Sequence, residues 1–247
     1  AEFQGLTFDE LKLNDDYRAQ MFRYTNSFKE ARFLRAYFYF NLVRAYGDVP
    51  YFTEMVTTDQ VNSLTRTPAQ EIFNAIIAEC DKLSTELPAD YTKLGLDGIA
   101  PAENGRVTCY AALALKARAA LYAASPLFNP ENNKDLWRRA AEANKEVIET
   151  CTANGFKLSK YSELWGPNNW SNNEMIFVRR YNGNISTLEE YNFPMGVPGG
   201  NSGNCPTQNM VDAYEMKATG KMWNETGSGY DASNPYVGRD PRFDMTI

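Results

Sequence analysis

The spacing of apolar positions divides this chain in two. Up to about residue 155, apolar residues recur every three or four positions, as they do on helices with one inward face. The densest stretch is Glu30–Pro50, EARFLRAYFYFNLVRAYGDVP. It predicts a helix over about 28–46, stopped by a Gly-Asp-Val-Pro turn. Phe33, Leu34, Tyr37, Phe38, Tyr39, Phe40, Leu42 and Val43 cover most of its circumference, so this helix is expected to be buried among other elements. A second helix is predicted from Thr67-Pro68-Ala69-Gln70, with Thr67 as N-cap, Pro68 at the first helical position and Gln70 closing a capping box. Ile72, Phe73, Ile76, Ile77, Cys80 and Leu83 would face inward, and Pro88 ends the segment. A third opens near Arg106-Val107-Thr108 and stops at Ser125-Pro126, and its many alanines allow close approach of neighbours. A fourth spans about Asp135–Thr152, with Trp137, Ala140, Ala141, Val147, Ile148 and Cys151 inward and Asn154-Gly155 as its terminal turn.

Four such helices read as two antiparallel pairs, irregular versions of tetratricopeptide-type hairpins, with long insertions that break any fixed period. From about Phe156 the pattern changes. Asn and Gly become frequent, short extended runs occur, chiefly Met175–Arg179, and one short helix is predicted over Thr207–Met216 with Thr207 as N-cap. The segment GVPGGNSGN (196–204) reads as a flexible surface connection. The expectation is a mainly α fold. Residues 1–155 would form a tetratricopeptide-like helical scaffold. Residues 156–247 would form a loop-rich, ligand-binding portion of the same domain, with a few short strands.

Composition narrows the chemistry. The net charge is −6 and no basic run stands out, which argues against a nucleic-acid partner. No apolar run approaches the roughly 20 residues that cross a bilayer. The chain opens at AEFQGLTFDE with no leader pattern and stops at RFDMTI, so a longer parent polypeptide is expected. Cys80, Cys109, Cys151 and Cys205 form no CxxC pair, so a zinc or redox motif is unsupported and the thiols read as free and structural. There is no histidine, which removes His-based triads, imidazole bases and His metal sites. No Walker A glycine loop is present. Carboxylates such as Asp97, Glu103, Glu163, Glu174, Asp212 and Glu215 could serve glycoside hydrolysis, but their spacing selects no pair. No catalytic residue, cofactor or metal site is therefore expected.

Several blocks together resemble the SusD/RagB family. Glu30-Ala31-Arg32-Phe33-Leu34-Arg35-Ala36 leads into Tyr46-Gly47-Asp48-Val49-Pro50. Gly105-Arg106-Val107-Thr108 opens the Ala-rich helix, and Asn173-Glu174-Met175-Ile176-Phe177 follows. Then come Pro206-Thr207-Gln208 with Val211-Asp212-Ala213-Tyr214-Glu215-Met216, and last Arg239-Asp240-Pro241-Arg242-Phe243. Their order spans 30–243 and makes the resemblance specific. The family's amino-terminal portion, with its signal peptide and lipid-bearing Cys, has no counterpart here, nor has the region beyond the last block.

The resemblance implies a non-catalytic, lipid-anchored protein on the outer face of the outer membrane of Bacteroidota. Such a protein captures oligosaccharide or polysaccharide and passes it to a SusC-like TonB-dependent transporter. Membrane association would come only through the lipid anchor. Peptide or glycopeptide capture, as in the RagB branch, is the nearest alternative, and a pure protein-interaction module is another. Sugars bind through C–H faces stacked on aromatic rings and hydroxyls bonded to polar side chains, and Tyr and Trp offer both kinds of contact. The aromatic- and Asn-rich loops after 156 supply the candidates: Trp170, Tyr181 and Tyr191 for stacking and Asn182 as a polar partner. Glu30 and Arg32 would be structural, holding the helix start and orienting the Gly-Asp-Val-Pro turn.

Overall fold

The computed structural model describes residues 8–96, 105–165, 169–179 and 191–247. Contacts divide the chain into two compact units, Ala1–Arg179 and Arg180–Ile247. The first is built on α1 (Tyr17–Tyr46), the short α2 (Thr58–Val61), α3 (Ala69–Glu86), α4 (Cys109–Ala124) and α5 (Lys134–Ala153). The second contains α6 (Gln208–Asp212) and α7 (Phe243–Thr246) among turns. The fold is mainly helical. Among the described residues, extended pairing is limited to isolated bridges such as Val49 with Thr67 and Met216 with Arg239. Met175–Arg179, expected to be extended, forms no strand.

Side-chain contacts fix the helices' directions. Asp48, just past α1, bonds the first residue of α3, while Arg32, midway along α1, reaches Glu86 at the end of α3. Gln70 at the start of α3 donates to Ala123 O at the end of α4, and Cys109 N donates to Pro88 O. Lys116 of α4 meets Glu146 of α5, and Tyr110 packs on Phe156 just beyond it. Each long helix therefore runs antiparallel to the one before it, as the two-pair reading expects. The core between them is formed by Phe33, Phe40 and Val43 of α1, Ile72, Phe73, Ile76, Cys80 and Leu83 of α3, and the alanines of α4. Those alanines let α3 and α5 close on α4 from both sides. Ala112, Ala119 and Ala124 have no exposed surface.

Four local expectations change. First, α1 begins at Tyr17, not near 28. Its first turns contain Thr25 and Ser27, whose hydroxyls bond back to Met21 O and Arg23 O within the helix. Second, α1 is not enclosed on all sides. Phe33, Ala36, Tyr39, Phe40 and Val43 are buried, while Phe38 on the opposite face is 59% exposed. Third, Thr67 does not cap α3. The residue before the helix is Pro68, and Asp48 Oδ1 accepts from Ala69 N at 2.8 Å in the place of a local cap. Gln70 instead donates to Ala123 O and Phe128 O, both at 2.7 Å. Fourth, Trp137, Ala141 and Ile148 of α5 point outward, and Leu136, Ala140, Ala143, Val147 and Cys151 form the inward row. The two rows lie about 100° apart on one helix, and only the second faces α4.

Residues 156–179, read from the sequence with the loop-rich portion, fall within the helical unit. Phe156 lies against Tyr110 and Phe177 against Phe33, with ring centroids 4.8 and 5.5 Å apart. In the second unit, α6 starts as predicted on Thr207, whose Oγ1 accepts from Met210 N. The segment 196–204 is not a loose connection. Gly203 N bonds Tyr191 O at 2.7 Å, Ser202 N bonds Phe193 O, and Met195 N donates to Ser202 Oγ. A Cβ on Gly200 would strike Pro194 O, so glycine is required by this close fold-back.

Candidate binding cleft

Glu30 anchors the polar floor of a cleft in the helical unit. Its carboxylate accepts a fork from Arg106, Nε at 2.8 Å and Nη2 at 3.0 Å. Asn26, only 1% exposed, donates from Nδ2 to Glu30 Oε1 and to Tyr91 Oη. Tyr91 Oη in turn donates to Val107 O at 2.7 Å. Tyr91 is buried, which pushes its phenol pKa upward, and the Arg106 guanidinium lies over its ring. The fork is charge-assisted, and its geometry fixes both partners. It joins α1 to the segment that opens α4, 76 residues later.

Above this floor lies a cleft of about 710 Å³, within the usual range for ligand sites. Four segments line it: the turn after α3 with Asp90, Tyr91 and Lys93, the approach to α4 with Arg106, Thr108 and Tyr110, the end of α5 with Asn154, Gly155 and Phe156, and the loop Ser171–Asn173 with Met175 and Ile176. Local chemistry holds each in place. Asp90 Oδ1 accepts from Thr92 N and Oγ1, which holds its carboxyl below the ordinary range. Thr108 caps α4. Asn172 Oδ1 accepts from Ser159 Oγ and Glu174 N, and Glu174 accepts from Ser159 N. The walls mix apolar rings with hydroxyls, amides and compensated charges. This suits an amphipathic, hydroxyl-rich ligand.

The residues predicted from sequence stand as follows. Trp170 lies in the 3-10 turn Asn169–Ser171, beside the cleft-lining loop, and its side chain lies outside the described residues. Tyr181 and Asn182 also lie outside them. Tyr191 is in the second unit, 57% exposed, and its ring lies directly over Gly203, where any Cβ would collide with it. Of the four, only the side chain of Tyr191 lies among the described residues. Of the carboxylates considered for hydrolysis, Glu174 belongs to the Ser159 turn and Asp212 accepts from Gln208, while Asp97 and Glu103 lie outside the described residues. Asp90, Lys93 and Tyr110 were not singled out from sequence, and Asn173 was marked only as part of a family-like block. In the sequence, that corner is marked by the helix-ending Pro88 and by the block Gly105–Thr108.

The other recurrent blocks are also joints. Arg32 donates to Glu79 at 2.7 Å and Glu86 at 2.6 Å, tying α1 to α3 instead of orienting the turn after α1. That turn needs Gly47, with φ 70° and ψ −126°, and it presents Asp48 to α3. In the second unit Arg239 is 5% exposed, donates to Tyr214 O and Pro235 O, and lies over the Tyr230 ring. Asp240 N bonds Glu215 O, so the last two blocks hold each other.

Comparison with known proteins agrees with this pattern. A SusD-like family model, described as starch-binding and associating with the outer membrane, matches residues 7–121. A SusD-like protein of Formosa agariphila is 25% identical over 236 residues, covering 87% of this chain and 40% of that protein. A crystal structure of a SusD-like protein from Bacteroides fragilis matches with a TM-score of 0.66 and 28% identity, over 87% of this chain and 41% of that one. A SusD-like carbohydrate-binding protein from the same species matches with a TM-score of 0.65 and 28% identity, over 90% and 40%. The chain thus spans about 40% of the length of these relatives. Fold, family model and interlocking blocks agree in making this chain similar to the SusD-like family.

Proposed function

We propose that this chain belongs to a non-catalytic surface protein that binds oligosaccharide or polysaccharide and hands it to a SusC-like TonB-dependent transporter. The protein would sit on the outer face of the outer membrane, held by a lipid anchor. One observation carries the reading: the fold is shared over 90% of the chain with a structure described as a carbohydrate-binding protein. The cleft's mixed walls support it, because sugar rings need apolar faces and hydroxyl partners together. Trp170, Tyr181, Asn182 and Tyr191 remain the proposed loop contacts. Tyr191 offers a particular test, since its ring is seated on Gly203. Affinity electrophoresis on a glycan panel is expected to show weaker retention for both Tyr191→Ala and Gly203→Ala, by about tenfold, the loss of one stacking contact. Full retention in both would remove Tyr191 from the site. Binding to peptides with none to any glycan would overturn the saccharide reading.

A further inference from the structure

We propose that the cleft above Tyr91 and Arg106 is itself a saccharide site, and that it selects an uncharged saccharide segment over an anionic one. This rests on the glycan reading for the class of ligand and goes beyond it in place and in charge. Its described walls contain none of the four residues predicted from the loops. Tyr110, Phe156 and Met175 supply apolar surface, and Thr108, Ser171 and Asn173 supply polar surface.

Charge decides the preference. Among the described residues, the cations lining the cleft are Lys93 and Arg106, and each already has a protein carboxylate. Arg106 grips Glu30 through a bidentate fork, and Lys93 Nζ lies 3.1 Å from Asp90. A uronate or sulfate entering the cleft would compete with Glu30 and Asp90 for those cations and would meet Asp90 as a like charge. An uncharged sugar meets neither cost. The floor is also preorganised, because Arg106 and Tyr91 are held by Glu30, Asn26 and Val107 O whether or not a ligand is present.

The test uses an array of neutral gluco- and manno-oligosaccharides, oligogalacturonates and sulfated oligosaccharides. Two substitutions probe it. Asn173→Trp, at an exposed position, blocks the cleft. Asp90→Asn keeps an acceptor for Thr92 N and releases Lys93. The expected result has neutral saccharides as the strongest ligands and a loss of about tenfold or more in Asn173→Trp. Asp90→Asn is expected to raise binding of oligogalacturonate relative to neutral saccharides, narrowing the gap between them. Neutral binding that ignores Asn173→Trp but is lost in Tyr191→Ala would overturn the cleft assignment and leave the glycan reading standing. Preference of the unsubstituted protein for anionic saccharides would overturn the charge assignment. Binding to no saccharide at all would overturn the glycan reading, and the cleft proposal with it.

Discussion

Glu30, which the sequence marks within a family-like block, serves as a joint between distant segments. It is a half-buried carboxylate with a fixed cation, a buried amide and a phenol around it. Removing its charge weakens the fork that Arg106 makes beneath the cleft. Glu30→Gln should therefore destabilise the protein by about 2 kcal/mol, the usual cost of a lost charge-assisted bond. Chemical denaturation would measure it. A loss within about 0.5 kcal/mol, the scatter of ordinary surface changes, would show that the fork is dispensable. The sequence singled out Glu30 and expected it to be structural. It did not show that the partner is Arg106, because nothing local links positions so far apart in the chain.

At the scale of the element, long-range contacts repeatedly replaced local ones. The sequence offered Thr67 as the cap of α3, but the amide of Ala69 is taken by Asp48 across the fold. Asp48→Ala should then cost about 1 kcal/mol, as a lost N-cap does, while Asp48→Asn should cost much less. Thermal unfolding of the two variants would show the difference, and equal stability in both would contradict the capping role. The α1–α3 tie adds a pH dependence. The hydrogen bond from Arg32 holds the Glu79 carboxyl below the ordinary glutamate range, against the opposing effect of burial. The unfolded chain therefore takes up a proton at higher pH than the native state does. The stability from this pair is complete above the unfolded value of about 4.3 and is lost as pH falls through the lower native value. Urea midpoints should fall more steeply between about pH 5 and pH 3 in the wild type than in Glu79→Gln. Parallel curves would place the pH sensitivity elsewhere. Helix identity was legible because periodicity and caps such as Thr108 and Thr207 are local signals. The outward turn of Trp137 and Ile148 was not, since two apolar rows lie on one helix and only packing on α4 chooses between them.

Across the whole chain, the family-like blocks act as joints, and two of them also border the cleft. Glu30, Arg32, Asp48, Arg106, Glu174 and Arg239 each join two segments of one unit. The cleft wall combines residues of two blocks, such as Arg106, Thr108, Asn173 and Met175, with residues outside them, such as Lys93 and Tyr110. This explains why the fold was more readable in the sequence than the cleft. Joints obey shared geometry, whereas a ligand surface answers to a ligand that the sequence does not contain. The central claim is capture without chemistry. Its most direct measurement is calorimetric titration of the protein with its strongest array saccharide, followed by analysis of the recovered ligand. Saturable binding, with the saccharide returned at its original length and with no new reducing ends, is the predicted result. Shortened products, or no heat with any saccharide alongside clear binding of peptides, would contradict it.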